Sequence, residues 1–317
     1  MQRLIGLTVT LMFVSIAAIA DAATPVKVLN EPAVDEIIPS ASDGYLVWSA
    51  NSEARPGHRN SYVMADGGDP VRINRAGTSS SSASIDGTTI VYEEGNGSDG
   101  DLWFFDAVTE NRTAAPDGVN TPKYEYPGAR LSGDWLSFTR TNANRVSSRD
   151  AWTKVVLFDL SSGTRRVLKT LPFRGHYLIN GQVNGDWATF ESCRERRDEF
   201  SDCQVFLYDI SEGGDAVQVA NPGVQQYAGA VSSDGTVYLV RSRNRDHYVC
   251  GSHTQLVRVP VGGQGVVIAS LPDGKDAYHT FALDETGGST TLYIGRLSCR
   301  RDNVGGIYRI QDADTTS

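Results

Sequence analysis

LSGDWLSF (Leu131 to Phe138) and VNGDWATF (Val183 to Phe190) decide the fold. Each sets a Gly-Asp turn between an apolar-polar pair and a Trp, with Phe three positions beyond the Trp. The copies stand 52 residues apart. Weaker copies are SDGYLVW (Ser42 to Trp48), IDGTTIVY (Ile85 to Tyr92) and SDGTVYLV (Ser233 to Val240), and DETGGSTTLYI (Asp284 to Ile294) is a degenerate one. Each copy leads through a polar loop to a second alternating run: SYVMAD, DLWFFD, KVVLFD, QVFLYD, QLVRVP and GIYRIQ. A short β-type run usually follows, such as PVRIN, NRTAA, TRRVLK, AVQVA or GVVIA. Period-two alternation broken by Asp-Gly and Gly-Asp marks hairpin-linked strands, and no segment holds a helical period for long.

One repeat thus reads as four antiparallel strands: A before the turn, B after it, C beyond the polar loop, and D closing the unit. Turns at Asp43, Asp86, Asp134, Asp186 and Asp234 are 43, 48, 52 and 48 residues apart, the spacing of propeller blades. The count is six. The sixth unit ends after its C strand, whereas TPVKVLN (Thr24 to Asn30) precedes the first A strand and has the look of a D strand. The expected fold is an all-β six-bladed propeller of four-stranded antiparallel blades, with Val26 to Leu29 completing the last blade. Such closure leaves no blade edge unpaired at the seam.

Composition agrees. The 317 residues are 40% hydrophobic and 21% charged, which is globular rather than disordered. Lys and Arg number 29 against 38 Asp and Glu, a net charge of −9, and a nucleic-acid binder normally carries the opposite sign. Residues 1–22 combine Arg3, an apolar run from Leu4 to Ala20, and Ala20-Asp21-Ala22 as a small-x-small site. This predicts a secretory signal, a mature domain of residues 23–317 with no membrane span, and a secreted or periplasmic location. Four Cys in an exported chain point to disulfides, and three pairings exist. The repeat register favours Cys193 with Cys203 within blade four, and Cys250 with Cys299 between blades five and six.

The pattern of strand, Ser-Asp-Gly or Gly-Asp turn, hydrophobic strand ending in an aromatic, polar loop and apolar strand ending in Asp resembles the TolB-like six-bladed β-propellers, whose unit is the WD40-like or PD40 repeat. The resemblance spans essentially Thr24 to Gln311. The family's usual Pro before the Asp-Gly turn is replaced by Ser42, Ile85 and Ser233, which argues against close kinship with its periplasmic founder. That founder also carries an N-terminal α/β domain for which this chain has no room.

Propellers bind at the channel mouth and the loops around it, so the D-to-A and B-to-C face is the expected site. Tyr126, Tyr177, Tyr227 and Tyr278 fall near A-strand starts in four successive blades, either as a stacking rim for a glycan or peptide or as packing wedges. Arg140 and Arg145, Arg241 and Arg243, and Arg296 and Arg300 populate three B-to-C loops, where guanidinium forks suit an anionic ligand or form local ion pairs. The expected function is a monomeric binding module for a protein, peptide or anionic glycan, with no cofactor or metal. The enzyme alternative is a channel-centred lyase or hydrolase using His176 or His279. It lacks support from an HExxH, GxSxG or Asp-box pattern. Glu93, Glu94, Asn96, Asp99 and Asp101 miss the calcium-loop spacing and read as a surface turn.

Overall fold

The computed structural model describes residues 25–29, 36–52, 55, 57–95, 100–120, 128–142, 150–173, 175–196, 199–219, 225–242, 254–271, 276–298 and 305–311. They form six four-stranded antiparallel sheets, one per repeat. Blade one runs Glu36–Ser42, Tyr45–Asn51, Arg59–Ala65 and Val71–Arg72 as strands A to D. Blade three runs Ala129–Ser132, Trp135–Thr141, Trp152–Asp159 and Arg165–Pro172, and blade four starts at His176–Asn184 and Trp187–Arg196. The A strands of neighbouring blades touch one another all the way round, so they form the inner ring. A 3-10 turn at Thr286–Gly288 replaces the Asp-Gly turn in blade six.

The seam closes as expected. Val26–Leu29 pairs antiparallel with Gly305–Ile310, setting Val26 opposite Arg309 and Leu29 opposite Ile307. Ile307 is fully buried in a cluster with Leu46 and Trp48 of blade one, and Val28 packs against it. Every other apolar cluster likewise lies between blades, because each small sheet has two apolar faces that only neighbours can cover.

The repeat motif now has a physical meaning. Phe138 and Phe190 are fully buried between blades. Trp135 and Trp187, half-buried at the turn, lie against the core of the following blade. A Cβ on Gly235, at φ +84°, would stand 2.7 Å from the Trp187 ring, so glycine serves both the turn and the blade contact. The closing Asp of the C strand caps the C-to-D turn. Asp159 accepts the N–H groups of Ser161 and Ser162 at 2.9 and 3.1 Å, and Asp106 and Asp209 do the same for their turns.

Blade two departs from the surface-turn expectation at Glu94. Its side chain is completely buried and bridges Arg75 at 2.7 Å and Arg112 at 2.9 Å. Arg112 in turn lies over the Trp103 ring at 3.9 Å. Burial raises the Glu94 carboxyl, but the two guanidinium groups outweigh it and hold it below the usual range.

Candidate functional site

The A strands of blades one to four each end in a small polar residue whose side chain reaches the next blade. Ser42 Oγ accepts the Gly87 N–H at 3.0 Å, Asp86 Oδ2 accepts that of Gly133 at 2.7 Å, and Ser132 Oγ that of Gly185 at 3.3 Å. Asn184 Nδ2 donates to the Val231 carbonyl at 3.2 Å. Blade six completes the series in both directions: Glu285 accepts the Ser233 N–H at 2.7 Å, and Thr286 Oγ1 accepts the Asp43 N–H at 3.2 Å. Six junctions are therefore latched at the A-to-B turn end of the channel.

The same residues frame a cavity of about 240 Å³ at that mouth. Asp43, Asp86, Asp284 and Glu285 contribute four carboxylates, alongside Asn184 and Thr286, and no Lys or Arg lines it. Asn184 Nδ2 also donates to Glu285 Oε2 at 2.6 Å, and Thr286 Oγ1 links Asp284 with Asp43. These bonds fix the carboxylates in place while leaving lone pairs facing the cavity.

Deeper in the molecule, Arg130 projects from the innermost strand of blade three. Its Nη1 donates to the Ala129 carbonyl at 2.9 Å. Desolvation pushes its guanidinium down to about 10, opposed by the charge of the buried Glu191. The Cys193–Cys203 disulfide sits close by, its sulfur atoms and a Glu191 carboxylate oxygen lying within 4.8 Å of one another.

The residues expected on the opposite face fall into three groups. Tyr227 and Tyr278 are each 1% exposed, and the Tyr227 hydroxyl donates to the Tyr278 carbonyl at 3.1 Å, which is the placement of packing wedges. Tyr177 is half-buried edge-on against Phe173. Arg140, Arg241 and Arg296 stand on B strands rather than in loops. Arg140 is buried and donates to the Val119 carbonyl, Arg241 holds Gln255 with two bonds, and Arg296 lies over the Tyr308 ring. His176 begins the A strand of blade four, half-buried, opposite Arg194. His279 lies on the A strand of blade six, with its side chain outside the described set. Tyr126, Arg145, Arg243, Arg300, Cys250 and Cys299 lie outside the described residues, as do residues 1–22. The bridge between Cys193 and Cys203 is present as expected. It sits within the ladder rather than at its end, because pairing continues past it to Arg196 and Glu199.

No protein-family model matches the chain, and no curated protein sequence matches it. Solved structures do. TolB from Acinetobacter baumannii aligns at TM-score 0.52 and 16% identity, covering 84% of this chain and 63% of its own. The architecture is that of the TolB-like propellers. An oligogalacturonate lyase from Vibrio parahaemolyticus (TM-score 0.52, 11% identity, 92% of this chain and 98% of that one) also aligns with the chain. So does a Trypanosoma rangeli sialidase (TM-score 0.58, 10% identity, 92% and 58%). At these identities the likeness is one of fold, and loops and channel residues must supply the function. Within this six-bladed propeller, sequence reading missed the latch residues and Arg130. Ser132 and Asn184 carried a signal, since each directly precedes its Gly-Asp turn, whereas Ser42 and Asp86 stand at other offsets from their turn Asp and share that place only through the hairpin register. Arg130 carried none, because nothing in its local sequence marks it as inward-facing.

Proposed function

We propose that this chain is an exported binding module that takes a cationic segment of a peptide or protein into the mouth formed by the A-to-B turns. The observation that carries this reading is the cavity framed by Asp43, Asp86, Asp284 and Glu285 with no basic lining residue. A low-dielectric funnel lined by one sign of charge focuses potential on its opening and speeds capture of the opposite charge. The latched ring supports the same reading, because a site whose side chains are already fastened loses little freedom on binding. Export is supported by the disulfide, which belongs to oxidising compartments. Among the described residues no helix is long and apolar enough to cross a membrane.

The test is fluorescence anisotropy with a labelled Lys/Arg-rich dodecapeptide and with labelled oligogalacturonate, on wild type and on Asp43→Asn, Asp284→Asn, Arg241→Ala and Arg296→Ala. The basic peptide should bind, weaken several-fold in either Asp variant, and weaken with added salt. Binding of the acidic sugar that depends on Arg241 or Arg296 would instead put the ligand on the D-to-A and B-to-C face. Turnover of the sugar that requires His176 or His279 would make the protein an enzyme.

A further inference from the structure

The outer strands of the blades are unequal. Those of blades one, two and four are two or three residues long, Val71–Arg72, Arg112–Ala114 and Val217–Gln218. Blade three ends instead in an eight-residue strand, Arg165–Pro172, exposed over most of its length, with Val167 48% exposed. No described strand pairs with its outer side. A long outer strand presents a row of N–H and C=O groups that another extended chain can complete, and proteins normally shorten or cover such edges.

The charge on this strand chooses the occupant. Arg165, Arg166 and Lys169 lie on it with no acidic residue between them, in a chain whose net charge is −9. All three are exposed; Arg166 is fastened by a 2.8 Å bond from Nη1 to the Ile210 carbonyl of blade four, and Lys169 Nζ stands 6.0 Å from the centre of the Phe206 ring of the same blade. Register sets Arg165 opposite Phe158, whose side packs toward blade two, and Lys169 opposite Val155, whose side packs toward blade four. Cations therefore flank the edge on both faces. A second copy of the same edge would bring like charges together, which is destabilising, so self-pairing is disfavoured. An extended peptide bearing Asp or Glu would meet opposite charge on either face.

We propose that the outer edge of blade three binds an acidic extended peptide as a fifth antiparallel strand. Main-chain hydrogen bonds would supply affinity, and alternate acidic side chains reaching Arg165 and Lys169 would supply specificity. Pro172 bounds the usable edge because it has no N–H to give.

The experiment uses the full chain with a labelled octapeptide of alternating Glu and Thr, its Lys/Thr counterpart, and a Glu/Thr version methylated on alternate backbone nitrogens. Anisotropy should report binding of the Glu/Thr peptide alone, with amide exchange slowed within Arg165–Leu171. Arg165→Glu combined with Lys169→Glu should weaken binding about tenfold or more, and Arg165→Gln with Lys169→Gln by less, with unchanged melting in both. Asp284→Asn, in the cavity mouth, should leave this binding untouched. The proposal is overturned if the Glu/Thr peptide fails to bind at millimolar concentration or if backbone methylation has no effect. Protection on another edge such as Val266–Leu271, or a dimer joined through this strand, would overturn it as well.

Discussion

The hydroxyl of Ser42 accepts the backbone N–H of Gly87 at 3.0 Å, joining the turn of blade one to the turn of blade two across 45 residues of sequence. The same glycine contact recurs at the next two junctions and different polar bonds span the other three, so the ring is closed by polar latches on its rim as well as by apolar packing within it. Ser42→Ala removes one partner and leaves the Gly87 amide to find water. We expect a loss of about 0.5–1.5 kcal/mol in urea unfolding, and roughly additive losses when Ser132→Ala is combined with it two junctions away.

The seam should be the most sensitive junction. Ile307 is fully buried where the last blade meets the first, and Val26–Leu29 covers the same sheet. Ile307→Ala should cost about 2–5 kcal/mol by cavity formation. Removing residues 23–30 should expose the edge of Gly305–Ile310 and produce concentration-dependent association in light scattering, whereas an unchanged monomer would contradict the closure.

The Cys193–Cys203 bridge closes a short loop between two long strands. Replacing both residues with Ser should lower stability by about 2–3 kcal/mol in the chain-entropy picture. Because the ladder continues past the bridge, the far-ultraviolet spectrum should stay unchanged. Peptide mapping without reductant should recover the two residues in one linked fragment.

Alkaline stability follows from the wedged tyrosines. Burial raises the Tyr278 hydroxyl from 10.0 to about 12, and raises Tyr227 further, with the Glu191 charge adding to the effect. The unfolded chain releases these protons near pH 10 while the folded chain keeps them. Their stabilisation is thus complete below pH 10 and is lost as pH rises through the folded values. Melting temperature should fall above pH 10, and Tyr227→Phe should flatten that fall while losing its bond to the Tyr278 carbonyl.

Acid has the opposite sign at the C-to-D turns. The hydroxyls of Ser161 and Ser162, then the Ser162 N–H, lower the Asp159 carboxyl from 3.8 to about 2, and Asp106 and Asp209 are lowered by their own turn partners. Their contribution is complete above the ordinary value near 4 and is lost as pH falls toward 2. Asp159→Ala should lower the melting temperature at pH 7, and the difference from wild type should shrink as pH falls toward 2.

The amino-acid order alone determined what depends on neighbours in the chain: strand alternation, Asp-Gly and Gly-Asp turns, a repeat of blade length, six units, and a split last blade. These are short-range regularities of backbone twist and burial, so eight residues such as Leu131 to Phe138 suffice to express them. The local pairing of Cys193 with Cys203 was legible for the same reason. Only the tertiary structure brought the carboxylates of Asp43, Asp86, Asp284 and Glu285 together around one cavity. Asp43 and Thr286 meet across 243 residues, and no local pattern reports which side chains converge when six blades close into a ring. The fates of Tyr227, Tyr278 and Arg140 were hidden likewise. A side chain at a strand end becomes a ligand-facing rim or a packing wedge according to how closely the next blade approaches, and that distance is set by the whole circle.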